Sequence, residues 1–99
     1  MIIAVDFDGT LCNYKNPGIG EPKLKVIEKV KELADDNFLI LWSCRRGKAL
    51  KEAIKWCRQY GLVFNAINKN APGIKSSRKI YADLYIDDKA DNSFIEEFI

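Results

Sequence analysis

Near the start of the chain stands Asp6-Phe7-Asp8-Gly9-Thr10-Leu11, two carboxylates one residue apart followed by a turn-forming glycine. Bringing like charges together in a folded protein is unfavourable unless something cationic compensates. Towards the other end, Asp87-Asp88 follows a short apolar run, and if the two segments are neighbours the cluster grows to four carboxylates. A hard divalent cation with oxygen ligands, Mg²⁺ above all, fits that need. Ser43 adds a hydroxyl donor just after another apolar run, and Lys79 offers a cation shortly before the last one. Together these groups supply a nucleophile, an electrostatic clamp and a proton donor, which is a sufficient set for phosphoryl transfer.

The remaining composition narrows the chemistry to such groups. The 99 residues contain no histidine, which rules out a Ser-His-Asp triad, an imidazole metal site and an imidazole general base. Cys12, Cys44 and Cys57 are an odd number with no Cys-x-x-Cys spacing, so neither a disulfide framework nor a zinc cage is expected, and a reducing cytoplasm is the natural setting. No cysteine has an arginine six positions later, so Cys44 is expected to pack rather than to act as a phosphatase thiol. Only five apolar residues precede the first charge, too few for a signal peptide, and no run is long enough to span a bilayer.

These groups need elements to hold them. Residues 2–6 form an apolar run broken at Gly9-Thr10, which predicts a strand buried on both faces. Asn13, Asn16, Pro17, Gly18 and Gly20 give 12–21 the chemistry of a loop or small hairpin. Pro22 suits a first helical turn, and Leu24, Ile27, Val30, Leu33 and Ala34 recur at helical spacing, predicting a helix over 22–35. Residues 38–42 are again apolar throughout and predict a second strand. Leu50, Ala53, Ile54 and Cys57 form the stripe of a helix over 47–60, stopped by Gly61. A third strand is expected over 62–66, a loop over 68–77, a brief helix over 76–82, a fourth strand over 84–87 and a terminal helical turn over 92–99. Strands alternating with helices imply one α/β domain spanning 1–99, with a parallel sheet and helices on both faces. Its ligands belong at the carboxyl edge of the sheet, where Asp6, Asp8, Ser43 and the Asp87-Asp88 pair all fall.

Charge is unevenly distributed along this domain. Residues 1–44 carry 5 basic and 7 acidic groups, 45–79 carry 10 and 1, and 80–99 carry 1 and 6, so a basic block of net +9 lies between acidic ones. Lys48, Lys51, Lys55 and Arg58 make either the solvated face of a helix or a positive field that concentrates phosphorylated substrates.

Asp-Phe-Asp-Gly-Thr-Leu at 6–11 resembles the first motif of the haloacid dehalogenase (HAD) superfamily of phosphohydrolases. Ser43 in Trp-Ser-Cys-Arg is similar to the second motif, Lys79 stands where the lysine of the third would be, and Asp87-Asp88 in Tyr-Ile-Asp-Asp resembles the fourth. The resemblance implies a three-layer Rossmann-like fold with strand order 3-2-1-4. It also implies a Mg²⁺-dependent phosphomonoester hydrolase in which Asp6 attacks phosphorus to form an aspartyl-phosphate. Asp8 would protonate the leaving group and then activate water. The Asp6 carboxylate, the Asp8 carbonyl and Asp87 would hold Mg²⁺, with Asp88 ligating directly or through water, while Ser43 and Lys79 would hold the phosphoryl oxygens. Only about a dozen residues lie between 67 and 78, and helix 1 with strand 2 uses most of 12–42, so no cap domain fits. An open site admits large substrates such as phosphorylated macromolecules or nucleic-acid ends.

Several assignments stay open at this level. Lys75 or Arg78 could replace Lys79, Asp91 is either a further metal ligand or a helix cap, and Arg45 contacts either substrate phosphate or a surface acid. A non-catalytic phosphate- or metal-binding module that keeps the fold is the competing function. A phosphoryl-accepting receiver domain would need its acceptor on a middle strand, where Ser43 and Asn65 stand instead, and no P-loop run is present.

Overall fold

A computed structural model describes residues 1–15, 17–74 and 80–87. Its elements are β1 (Ile2–Asp6), α1 (Leu24–Ala34), β2 (Phe38–Trp42), α2 (Gly47–Gln59), β3 (Ala66–Ile67) and β4 (Leu84–Ile86). They form one four-stranded sheet in the order β3-β2-β1-β4, with every pairing parallel. β1 and β2 take central places because they are apolar on both faces, and their three middle residues are buried.

Side-chain alternation assigns the layers. Ile3 and Val5 of β1 share a core with Leu39 and Leu41 of β2 and Ile86 of β4, and against it pack Ile27 and Val30 of α1 and Ala53 and Cys57 of α2. Each large side chain in that core contributes about 1.5–3 kcal/mol on burial. The opposite face carries Ala4 and Ile40, both buried, and the Trp42 and Tyr85 rings, 5.8 Å apart. The helix expected over 92–99 and most of the one over 76–82 lie outside the described residues, while 80–82 are not helical. Tyr85 Oη donates to the Ile80 carbonyl and accepts from the Ala82 amide, pinning that segment to β4. No helix among the described residues is long and apolar enough to cross a membrane.

Two boundaries differ from expectation for identifiable reasons. Pro22 does not open α1; it bridges Cys12, and the amides of Asn13 and Lys23 donate to Glu21 and Leu11, so 12–22 closes as a small hairpin-like flap. The neck of this flap is tight enough that a Cβ on Gly20 would clash with the Asn13 carbonyl oxygen. Helix α1 therefore begins at Leu24, whose side chain is exposed. The third strand is likewise shorter and later than 62–66. The Gly61 and Leu62 amides turn back to the carbonyls of Arg58 and Cys57, a Schellman closure that buries Leu62 beneath α2 instead of in the sheet. Only Ala66 and Ile67 then pair with β2.

Candidate active site

β1 ends at Asp6, whose Oδ1 accepts the amide of Phe7 at 2.8 Å. The Phe7 ring is fully buried and meets Trp56 edge-on with centroids 5.3 Å apart. With that anchor fixed, the chain reverses: the amides of Thr10 and Leu11 both donate to the Phe7 carbonyl, and Gly9 takes φ +83°, which a side chain would resist. Leu11 is buried as well, so two apolar anchors hold a tight loop while Asp6 and Asp8 stay half-buried on it.

Asp8 is held by a guanidinium. Arg45 Nε donates to Oδ2 at 2.9 Å and Nη2 to Oδ1 at 2.8 Å, a bidentate pair of the strong kind. The same Nη2 reaches the Gly18 carbonyl at 2.7 Å, and the guanidinium carbon lies 5.1 Å from the Phe7 ring centroid. Arg45 thus ties the flap, the Asp8 loop and the loop after β2 together. Its hydrogen bond to Asp8 raises its pKa above the ordinary arginine value. The sequence left Arg45 between a phosphate contact and a surface acid; its partner is a candidate catalytic carboxylate.

Ser43 follows β2 and is buried, its Oγ accepting the Arg45 amide at 3.1 Å and its own amide donating to Asn68 Oδ1 at 2.8 Å. Asn68 stands just past β3 with φ +53°. On the other side of β1, Val5 pairs with Ile86, so Asp87 follows β4 at the level where Asp6 ends β1. Asp6, Asp8, Ser43 and Asp87 therefore all lie at the carboxyl edge of the sheet, with Asp6 and Asp87 at the switch point between β1 and β4. Lys79 and Asp88, with Lys75, Arg78 and Asp91, lie outside the described residues.

No family model matches the sequence, and no curated protein matches it. Among solved structures, the conserved protein coded by a locus of Bacteroides thetaiotaomicron is 49% identical, covering 92% of this chain and 78% of that one with a TM-score of 0.81. The chain belongs to that protein's family. Its description names no activity, so within this family the chemistry has to be argued from the site.

In this family member the donor set suits Mg²⁺. That ion is commonly bound through one or two carboxylates with water and substrate phosphate completing its shell. The ends of β1 and β4 bring two carboxylates, Asp6 and Asp87, to adjacent positions, and all the donors are hard oxygens. Among the described residues no group of three or more His, Cys, Asp or Glu side chains is gathered, consistent with the Asp8 carboxylate being turned to Arg45.

Three contributors escaped the sequence reading. Asn68 orients the Ser43 amide, and a strand end placed correctly at Ile67 would have pointed to it. Lys23 Nζ donates to the Gly9 carbonyl at 2.7 Å, fastening the motif loop to the start of α1. Thr10 Oγ1 is buried and has no hydrogen-bond partner among the described residues. Beside Asp8 opens a cleft of about 550 Å³ lined by Tyr14, Lys15, Gly18, Arg45 and Lys48 among others.

Proposed function

We propose that the protein is a Mg²⁺-dependent phosphomonoester hydrolase of the haloacid dehalogenase type. The observation that carries this reading is the β1–β4 register, which sets Asp87 level with Asp6 at the switch point while Ser43 follows β2 on the other side. Asp6, whose Oδ1 accepts the Phe7 amide, attacks phosphorus through its carboxylate. A bond forms from a carboxylate oxygen of Asp6 to phosphorus, the bond to the leaving oxygen breaks, and Asp8 delivers the proton that oxygen needs. Asp8 then takes a proton from water as the water attacks phosphorus and expels the Asp6 carboxylate. The Ser43 hydroxyl donates to a phosphoryl oxygen, and Lys79, or Lys75 or Arg78 in its place, supplies the clamping cation. Asp6, the Asp8 carbonyl, Asp87 and Asp88 would hold Mg²⁺, which offsets charge between nucleophile and phosphoryl oxygens. Both oxygens of Asp8 accept from Arg45, so proton transfer requires that pair to open; an incoming phosphate dianion competes for the guanidinium.

That same ion pair favours a second reading, a non-catalytic phosphate- or metal-binding module in which Asp8 is purely structural. The readings separate on hydrolysis of an aryl phosphate. The enzyme reading expects turnover with Mg²⁺, none after chelation, and none in Asp6→Asn protein that still folds. Activity surviving Asp6→Asn would remove the assigned nucleophile, and inertness toward a broad phosphate panel would favour the module. Cys12 and Cys57 are buried free thiols, whereas Cys44, expected to pack in the interior, is exposed. A reducing cytoplasm suits these thiols as the place of work.

A further inference from the structure

The cleft beside Asp8 and the helix that borders it carry charge that phosphoryl transfer at Asp6 does not use. Lys48 and Glu52 of α2 line the cleft, and Lys48, Lys51, Lys55 and Arg58 are all exposed. At about 100° per residue the four fall within one quarter of the helix circumference, and ten residues of rise carry them about 15 Å from the cleft. Glu52 is the one acid on α2, and none of the four cations is ion-paired among the described residues. At the mouth of the cleft, Lys15 and the ring of Tyr14, 72% exposed, project from the flap. A repeated cation with an exposed ring at its head is the combination that binds single strands, where cations track phosphates and aromatic faces stack bases.

Asp8 protonates the leaving oxygen in the reaction proposed above, so the leaving group occupies the cleft that Asp8 lines. We infer that this leaving group is the terminal nucleotide of a single-stranded nucleic acid. Its end phosphate sits on Asp6, its base stacks on Tyr14, and the following phosphates run along Lys48, Lys51, Lys55 and Arg58. A cleft of about 550 Å³ lies within the usual range for sites that take small molecules, which leaves room for one nucleotide and sends the rest of the strand onto α2. This inference rests on the phosphatase reading for the placement of the leaving group, whereas the basic ridge stands on charge and exposure alone.

The test uses dodecathymidylate phosphorylated at its 3′ or its 5′ end, with an acidic phosphopeptide as the contrasting probe. Binding is followed by fluorescence anisotropy to Asp6→Asn protein across a salt series. The slope of log K against log salt is expected to fall by about 0.7 for each cation removed in Lys51→Gln/Lys55→Gln/Arg58→Gln protein. Tyr14→Ala is expected to weaken binding of the phosphorylated strand roughly five- to 150-fold. In the otherwise wild-type enzyme, the ratio of kcat/KM for oligonucleotide to that for an aryl phosphate should drop at least about tenfold in the triple variant. An unchanged salt slope, or equal binding of the phosphopeptide, overturns the inference. Ridge-dependent strand binding by a protein that hydrolyses neither substrate would uphold the nucleic-acid surface and remove the phosphatase reading. Aryl phosphate turnover with no preference for the strand would do the reverse.

Discussion

The two edges of the sheet use aspartate in opposite ways. At the amino edge, Asp83 precedes β4 and accepts the Ile2 amide at 2.7 Å and the Tyr81 hydroxyl at 2.8 Å, while its own amide donates to the Ile2 carbonyl. The Ile2 amide, and then Tyr81, hold this carboxyl below its ordinary pKa. Every partner is a neighbour in the sheet or in sequence, so the acid is part of the strand pairing. At the carboxyl edge, Asp6 and Asp87 each stand one residue past the Val5–Ile86 pair, Asp8 lies on the loop beyond β1, and the cation answering Asp8 comes from a separate loop 37 residues away. Such a contact can open without unpairing a strand. One residue type thus serves strand pairing at one edge, while at the other the partner of Asp8 is a side chain brought in by a separate loop.

Substitutions at the two edges should separate these roles. The largest effect is expected from Asp6→Asn, which should lower turnover at least about 10³-fold, as losing a nucleophile does. Asp83→Asn should leave turnover unchanged, and a comparable loss there would erase the contrast. Next comes Arg45→Gln, which leaves Asp8 half-buried without its guanidinium. Lying between an exposed and a fully buried pair, this should cost about 1–3 kcal/mol. At about 4–8 °C per kcal/mol for a domain of this size, the loss is read directly as a fall in Tm. An unchanged Tm would mean that the pair does not hold the flap.

Thr10→Val keeps the shape of the side chain and removes a buried hydroxyl that has no partner among the described residues. It should raise stability by up to about 1 kcal/mol, and a fall in Tm would show that the hydroxyl has a partner. The smallest effect is the pH dependence of Asp83. Its folded pKa is depressed, so its contribution is present above the ordinary carboxylate range near 3.8 and is lost as pH falls through the lower folded value. Melting curves of wild-type and Asp83→Asn protein should therefore differ near neutrality and converge in strong acid. A constant offset would assign the difference to another cause.

How far the sequence alone reaches follows the same physics. β1 and β2 are legible to the residue because central parallel strands are apolar on both faces and end sharply at polar groups. The stripe of α2 is legible because Ala53 and Cys57 recur at helical spacing with lysines between them. Leu62 misleads because an apolar residue that closes a helix end looks the same in sequence as one that starts a strand. Pro22 misleads because its fixed φ suits a flap strand as well as a first helical turn. At the site, Asp6, Asp8, Ser43 and Asp87 could be read from motif and strand end. The Asp8–Arg45 pair and the Asn68 contact could not, because each depends on where two loops meet in space.

In the proposed reaction Asp6 is the group that receives phosphorus. The direct measurement is to quench a reaction with a ³²P-labelled phosphomonoester in acid, digest the protein and locate the label. Mg²⁺-dependent label is expected on the peptide containing Asp6 and not on Asp6→Asn protein. Phosphate release with no label at Asp6, or label on another residue, would contradict that assignment.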